Sequence, residues 1–156
     1  MKKNKFKSVL IIGMGLIGSS ISRAFKEKKI SDKIYGLDSN IDVINKCNEL
    51  SLLTQGETNI NNFNKQFDLV IICTPISTYK NVFRDLNDYI LEPTLITDVG
   101  STKVSVIEDY KKIINNKNIK FLPAHPIAGL EKSGPEHGFS KLFENRYCIV
   151  TPIDND

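Results

Sequence analysis

The sequence has little of what marks several protein classes. Its three cysteines, Cys47, Cys73 and Cys148, are an odd number without C-x-x-C spacing, which speaks against a disulfide scaffold and a cysteine-based metal site. Two of them fall in apolar, strand-like runs, so the expectation is of buried thiols in a reducing cytoplasm and of no bound metal. No dense Lys or Arg block follows the first few residues, and 21 basic against 18 acidic residues leave a net charge of only +3. Nucleic acid is therefore a poor candidate partner, while a small anionic ligand remains compatible. The apolar run from Val9 to Ile17 is too short to span a bilayer. Preceded by Lys2, Lys3, Lys5 and Lys7, it imitates a secretory signal, but the glycines at 13, 15 and 18, the early Arg23 and the lack of an A-x-A site argue against one. The protein is expected in the cytoplasm, away from membranes. No internal repeat, linker or low-complexity tail is present.

What is there is an ordinary globular composition. The chain has 156 residues, 40% apolar and 25% charged, enough for one domain with a real core. Val9 to Ile12 is an uninterrupted apolar run, as in a strand buried on both faces at the centre of a sheet. From Leu16 to Lys28 apolar residues recur at helical spacing (Leu16, Ile17, Ile21, Ala24, Phe25), with cations gathered near the C-terminal end, where they suit the dipole. Lys33 to Leu37 reads as a second strand ending at Asp38, and Ser39-Asn40 offers an N-cap for a helix through Ile41, Val43, Ile44, Cys47 and Leu50. The Asn-rich stretch from Thr54 to Lys65 reads as the least regular segment. Leu69 to Cys73 is another apolar strand, ended by Thr74-Pro75. Tyr79, Val82, Phe83, Leu86 and Ile90 form a helical stripe, Leu95 to Val99 a strand, and Val104, Ile107, Tyr110 and Ile114 a further stripe. Phe121-Leu122 and Tyr147 to Val150 are the last two expected strands. Strands alternating with helices of this length predict an α/β fold of the Rossmann type, doubly wound, with a mostly parallel sheet and helices on both faces.

Gly13-Met14-Gly15-Leu16-Ile17-Gly18 is a G-x-G-x-x-G, a weak signal alone. Here it follows a predicted strand, opens a predicted helix, and is followed twenty positions after Gly18 by Asp38 at the end of the second strand. That context is the dinucleotide-binding fingerprint. Gly13 permits the tight turn, Gly15 lets the backbone approach a pyrophosphate, and Gly18 lets the helix pack on the sheet. Free N–H groups at the helix start, on Leu16, Ile17 and Gly18, would hold the phosphates. Asp38 would accept hydrogen bonds from the adenosine ribose and repel a 2′-phosphate, which favours NAD over NADP.

Two further segments leave the carboxyl ends of apolar strands, which is the ligand edge of such a sheet. Thr74 and Pro75 would pass near the nicotinamide ribose, although a capped turn explains Thr74 equally well. In Asp98-Val99-Gly100-Ser101-Thr102-Lys103, Gly100 joins the cofactor side, and Ser101 and Thr102 are good helix N-caps. Lys103 stands in the first helical turn, where the dipole disfavours a cation, so it calls for another reason. His125 follows a predicted strand and is held extended by Pro126. An imidazole, with an unperturbed pKa near ~6.5, can take a hydroxyl proton as hydride leaves the same carbon. His137, in Glu136-His137-Gly138, is read as structural.

These pieces resemble the prephenate/arogenate dehydrogenase family. The resemblance rests on the glycine motif, Thr74-Pro75, Asp98-x-Gly100-Ser101-x-Lys103, and above all His125-Pro126-Ile127-Ala128-Gly129-x-Glu131-x-Ser133-Gly134. It continues through Phe143-x-x-Arg146 to Val150-Thr151-Pro152, so it covers nearly the whole chain. It implies NAD-dependent oxidative decarboxylation of prephenate, or of arogenate, in tyrosine biosynthesis. His125 would be the catalytic base, and Ser101 would bond the substrate hydroxyl and orient His125. Lys103 is implied near the substrate's anionic groups and Glu131 in a polar network closing the site, an exposed surface charge being the other reading of Glu131. Residues 1–156 are expected to be the NAD-binding domain. The family's helical dimerisation and substrate domain is expected to lie outside them, so a homodimer or a separate helical chain is the expected partner. A β-hydroxyacid-type dehydrogenase would share the fold but leaves the His125 string unexplained. A non-catalytic NAD(H)-sensing module would not need His125 and Ser101.

Overall fold

A computed structural model describes residues 6–153. In chain order the elements are β1 (Val9–Ile12), α1 (Leu16–Glu27), β2 (Ile34–Leu37), α2 (Ile41–Glu49), β3 (Gln55–Glu57), β4 (Leu69–Ile72), α3 (Tyr79–Tyr89), β5 (Thr94–Asp98), α4 (Val104–Ile113), β6 (Ile119–Leu122), β7 (Ala124–Pro126) and β8 (Cys148–Val150). Short 3₁₀ turns lie at Ile60–Asn62, Ile76–Thr78 and Pro135–His137. Six strands form one sheet in the order β3-β2-β1-β4-β5-β6, all parallel. The chain thus builds outward from β1 in one direction, then returns to β1's other side with β4.

The continuous apolar character of β1 follows from this central place. Successive side chains on a strand point to opposite faces. Val9 and Ile11 pack with Ile21 of α1 and with Ile44 and Cys47 of α2. Leu10 and Ile12 pack with Tyr79, Phe83 and Leu86 of α3 and Val106 of α4. Both layers need apolar residues, so no polar alternation survives. The predicted doubly wound α/β sheet, with helices on both faces, is what the chain forms.

Helix α1 packs more closely than its apolar stripe suggests. Ser19, Ser20 and Ser22 are buried with it. Their hydroxyls are satisfied locally, Ser19 and Ser20 donating to Leu16 O at 3.1 and 2.7 Å and Ser22 donating to Leu52 O at 2.7 Å. Small side chains let the helix approach, and their bonds to carbonyls remove the cost of burying hydroxyls.

Several expectations are corrected. The stretch expected to be irregular contains β3, which pairs with β2 at the sheet edge. Its residues, Gln55-Gly56-Glu57, carry no apolar signal because an edge strand gains its order from the ladder rather than from burial. Strand β6 begins at Ile119, before the expected Phe121. His125 follows β6, as expected, but lies within a further short strand, and the expected last strand does not join the parallel sheet: β7 and β8 form an antiparallel ribbon of their own. Of the expected pair Ser39-Asn40, it is Asn40 that caps α2, accepting from Asp42 N at 2.9 Å. Cys47 is buried, Cys73 partly buried, and Cys148 exposed on β8. Burial, then Asp38, raises the Cys47 thiol to about 11, and burial, then Asp98, pushes Cys73 further up. Both stay protonated at neutral pH, which suits structural thiols rather than nucleophiles. Among the described residues, no helix is long and apolar enough to cross a membrane.

Phe83 is the aromatic centre of the α3/α4 layer. It is fully buried, with ring centroids 6.0 Å from Tyr79, 5.8 Å from Tyr110 and 5.4 Å from Phe121. Phe83→Ala is expected to lower the unfolding free energy by about 3–5 kcal/mol, measured by denaturant titration. A loss below ~1 kcal/mol would mean that the layer repacks freely.

Candidate functional site

The register of the parallel ladder brings the motif residues to one edge. Leu37, Ile12, Ile72 and Asp98 lie in one row across four neighbouring strands. The ladder then continues one residue further, with Gly13 N donating to Leu37 O at 2.7 Å, Cys73 N to Ile12 O at 2.7 Å and Val99 N to Ile72 O at 3.1 Å. Gly13, Asp38, Thr74 and Gly100 therefore emerge side by side at the carboxyl edge. Beyond β1 the chain turns into the α1/α2 layer and beyond β4 into the α3/α4 layer. This divergence opens a crevice between the two strand ends, the usual ligand position in such sheets.

Each glycine of the motif answers a different steric demand. Gly13 has φ +91, and a Cβ there would stand 2.8 Å from the Cys73 and Thr74 backbone. A Cβ on Gly18 would stand 2.1 Å from Gly13 O, so α1 can start only by pressing its backbone onto the turn. Gly15 is the N-cap of α1, and a Cβ there would meet nothing within 4 Å. Its role is to leave the space before Leu16 and Ile17 open. Helix α1 also starts with no side-chain cap and no acidic residue in its first turn. The unpaired N–H groups and the positive end of the dipole thus face that space, an arrangement suited to phosphate.

Asp38 follows β2 directly. Its Oδ2 accepts Met14 N at 2.8 Å and its Oδ1 accepts Asn40 N at 3.0 Å. The carboxylate thus staples the glycine turn to the β2–α2 connection and keeps further lone pairs for a ligand hydroxyl. Thr74 and Pro75 enter the 3₁₀ turn that precedes α3, with the Thr78 hydroxyl 2.8 Å from both Thr74 Oγ1 and Pro75 O. The Thr74 hydroxyl thus joins the turn without capping a backbone amide, at a position where its backbone lies against the glycine turn.

Asp98 is the most heavily engaged group at this edge, and its side chain is 0% exposed. Its Oδ2 accepts from Tyr79 OH at 3.1 Å, Gly100 N at 3.0 Å and Lys103 Nζ at 2.5 Å. Its Oδ1 accepts Ala124 N at 3.0 Å. Burial, followed by the Asp98 carboxylate, pushes the Tyr79 phenol up, so Tyr79 remains a donor. Gly100 is needed where the loop folds over this cluster, since a Cβ would lie 3.0 Å from Asp98 Oδ2 and 3.1 Å from Tyr79 OH.

The same geometry corrects two expectations. Neither Ser101 nor Thr102 caps α4; both are exposed, and Lys103 occupies the cap position without a side-chain cap bond. The Lys103 ammonium turns inward to Asp98, with a side chain 13% exposed, which supplies the reason that its place in the chain lacked.

His125 sits in the middle of β7, half-buried and opposite Ile149 of β8. Its strand is fastened to β5 through Ala124 N and Asp98. Ser101 is exposed, and the structure shows no hydrogen bond between it and His125. Glu131 is exposed on the following loop. That loop returns over α1. Arg23 Nη1 donates to Pro135 O at 3.0 Å, Phe139 N donates to Ser20 Oγ at 3.1 Å, and Gly138 packs against Ser19 and Ser20. A cavity of about 390 Å³ opens beside it, lined by Ile127, Leu130, Phe139, Lys141 and Arg146 among others. His137 is exposed, 3.6 Å from Glu136.

Sequence reasoning placed Asp98 in a motif but gave it no role, and it missed Tyr79 and the Ala124 amide. Tyr79 looked like one more member of a helical stripe. A carboxylate closing an apolar strand, with a lysine at an unfavourable helix position five residues later, was the available signal.

The sheet order, the glycine turn, the open helix start and the acidic end of β2 define a dinucleotide-binding α/β domain. Residues 21–156 match the family described as the prephenate dehydrogenase nucleotide-binding domain, and the chain belongs to that family. It is 35% identical over 147 residues to cyclohexadienyl dehydrogenase of Zymomonas mobilis, covering 94% of this chain and 50% of that protein. It is 33% identical to prephenate dehydrogenase of Lactococcus lactis, covering 93% and 41% of the two chains. The crystal structure of Aquifex aeolicus prephenate dehydrogenase in complex with hydroxyphenyl propionate and NAD⁺ superposes with a TM-score of 0.90 at 32% identity, over 98% of this chain and 53% of that one. Synechocystis arogenate dehydrogenase shares the fold with a TM-score of 0.83 at 22% identity, over 94% of this chain and 50% of that one. The chain spans about half the length of the curated relatives it matches.

The contrast between two glycines is testable without a ligand. Gly18→Ala is expected to cost about 1–3 kcal/mol of stability through overpacking against Gly13 O, and Gly15→Ala well under ~1 kcal/mol. Chemical denaturation of both variants measures the difference, and equal losses would show that the helix start can shift to absorb a methyl group.

Proposed function

We propose that this chain is the NAD-binding half of a prephenate dehydrogenase, which converts prephenate to 4-hydroxyphenylpyruvate by oxidative decarboxylation in tyrosine biosynthesis. The observation that carries this reading is His125, held on a strand fastened to the carboxyl edge where the glycine turn opens.

The residues present fit NAD. The space before Gly15 accommodates a pyrophosphate, which the N–H groups of Leu16, Ile17 and Gly18 would hold at the helix start. Asp38 accepts ribose hydroxyls, and the neighbouring Ser39 and Asn40 offer no cation for a 2′-phosphate. Thr74, Pro75 and Gly100 line the nicotinamide side. When bound, NAD⁺ supplies the hydride acceptor.

His125 takes the proton of the ring hydroxyl as hydride leaves the carbon that bears it. The carboxylate on the opposite ring carbon then departs as CO₂, its bonding electron pair enters the ring, and the proton held by His125 returns to the oxygen to give the phenol. Aromatisation drives the step forward. Ser101 donates to the substrate hydroxyl and orients His125 once substrate orders the edge. Glu131, on the loop that follows, closes the site from the solvent side. The groups that neutralise the substrate's carboxylates come from a helical domain, in a homodimer or in a separate chain. Arogenate is the alternative substrate, since only its side chain differs and the groups that would read that side chain are expected largely in the helical domain. The cytoplasm, with its NAD pool, is the proposed location.

The test is NADH formation from NAD⁺ and prephenate, followed by nicotinamide absorbance, with calorimetry of NAD⁺ binding in parallel. His125→Asn is expected to lower kcat by about 10²–10⁴-fold while leaving NAD⁺ affinity unchanged. Asp38→Ala is expected to weaken NAD⁺ binding by about tenfold, from lost charge-assisted hydrogen bonds. Full turnover by His125→Asn would sink the mechanism. Preference for arogenate over prephenate would change the substrate and keep the chemistry.

A further inference from the structure

The Asp98 cluster exceeds what a strand end needs. Among the described residues, strand β7 pairs in its ladder with β8 alone, so the ribbon carrying His125 has no strand partner there in the parallel sheet. The bond from Ala124 N to Asp98 Oδ1, 3.0 Å long, joins it to β5 at the residue just before the imidazole. On the other oxygen, Lys103 Nζ at 2.5 Å, Tyr79 OH and Gly100 N complete the coordination of a carboxylate with 0% side-chain exposure. Taking such a charge out of water is costly unless a counter-charge and several donors surround it. Lys103 supplies the counter-charge, and no described acidic side chain other than Asp98 lies within ion-pair distance of it.

We propose that Asp98 is the positioning residue for His125, and that Lys103 serves by neutralising this buried carboxylate rather than by binding the substrate. The inference rests on the reading of His125 as the base. Its logic lies in the acceptor count. A carboxylate has two acceptor oxygens, whereas an asparagine has one and presents donors at the other. Asp98→Asn must therefore turn its NH₂ either toward Ala124 N or toward the three donors on the other side. The amide oxygen stays with the Lys103 ammonium and its two companion donors, so the NH₂ faces Ala124 N, a donor facing a donor, and the link to β7 opens. A displacement of about 1 Å at the base is enough to cost ~10²-fold in rate.

Hydrogen exchange at the amides of Ala124, His125 and Ile127, NAD⁺ affinity, and kcat and KM for prephenate are measured in the Asp98→Asn, Lys103→Met and Lys103→Arg proteins. Exchange is expected to accelerate by about tenfold or more in Asp98→Asn and Lys103→Met, as local opening becomes easier, with NAD⁺ affinity changed less than ~2-fold. In turnover the loss is expected in kcat, about 10²-fold, with KM within ~3-fold, and Lys103→Arg recovers most of it. Unchanged exchange in both of the first two variants overturns the proposal. So does a tenfold rise in KM for Lys103→Met with exchange intact, which would return Lys103 to the substrate. Should Asp98→Asn fail to fold, Lys103→Met decides by the same readings. Absence of turnover in the unsubstituted protein would count against the proposed function, while exchange, which needs no substrate, still decides whether Asp98 holds the strand.

Discussion

A carboxylate buried at the end of β5 must be satisfied on both of its oxygens, and much of the site's geometry follows from how Asp98 meets that requirement. Its four donors come from four parts of the chain: helix α3 through Tyr79, the loop after β5 through Gly100, the start of α4 through Lys103, and β7 through Ala124. Moving any of these elements would leave a buried charge short of a partner, which costs more than a neutral hydrogen bond returns. The cluster therefore fixes relative positions that packing alone would leave adjustable. It also explains why Gly100 and Lys103 are found where helix-start chemistry would choose other residues.

The cofactor side is organised by close approach rather than by charge. Gly13 lies against the Cys73–Thr74 backbone and Gly18 against Gly13 O, so the turn is packed from two directions. Asp38 then holds Met14 N from a third. The remaining freedom is the open space at Gly15, bounded by the uncapped start of α1. Rigid walls around this space, with N–H groups facing it, reduce the ordering that a phosphate ligand must impose. The loop after β7 is tied to the same helix through Arg23, Ser20 and Gly138, so α1 supports both the cofactor edge and the segment carrying Glu131.

The two sheets differ in how they are stabilised. The parallel sheet has both faces covered, and its central strands are buried throughout. The β7–β8 ribbon has the opposite character. All of β8 is exposed, Ile149 at 54% and Val150 at 48%, and Tyr147 before it at 85%. The ribbon depends on its own ladder, on Thr151 N donating to Pro123 O at 2.9 Å, and on Asp98.

How much of this was legible in the sequence depends on whether the causes were local. The α/β order, the central place of β1, the glycine turn and the acidic end of β2 could be read because each is set by neighbouring residues. Continuous apolar runs mark strands covered on both faces, helical periodicity marks their covers, and glycine spacing marks a turn with no room for a Cβ. Strand β3 could not be read, since Gln55-Gly56-Glu57 is ordered by β2 rather than by its own burial. The ribbon could not be read either, because Tyr147 to Val150 has the pattern of an inner strand and only the assembled sheet determines which edge it reaches. His125 and Lys103 divide the two kinds of information most clearly. The sequence determined that both belong to the carboxyl edge, since each follows a strand or its exit loop. That Lys103 turns inward, and that one buried carboxylate joins it to the strand bearing His125, was decided by the tertiary structure, because Asp98 and Ala124 are 26 residues apart and meet only when β5 and β7 are brought side by side.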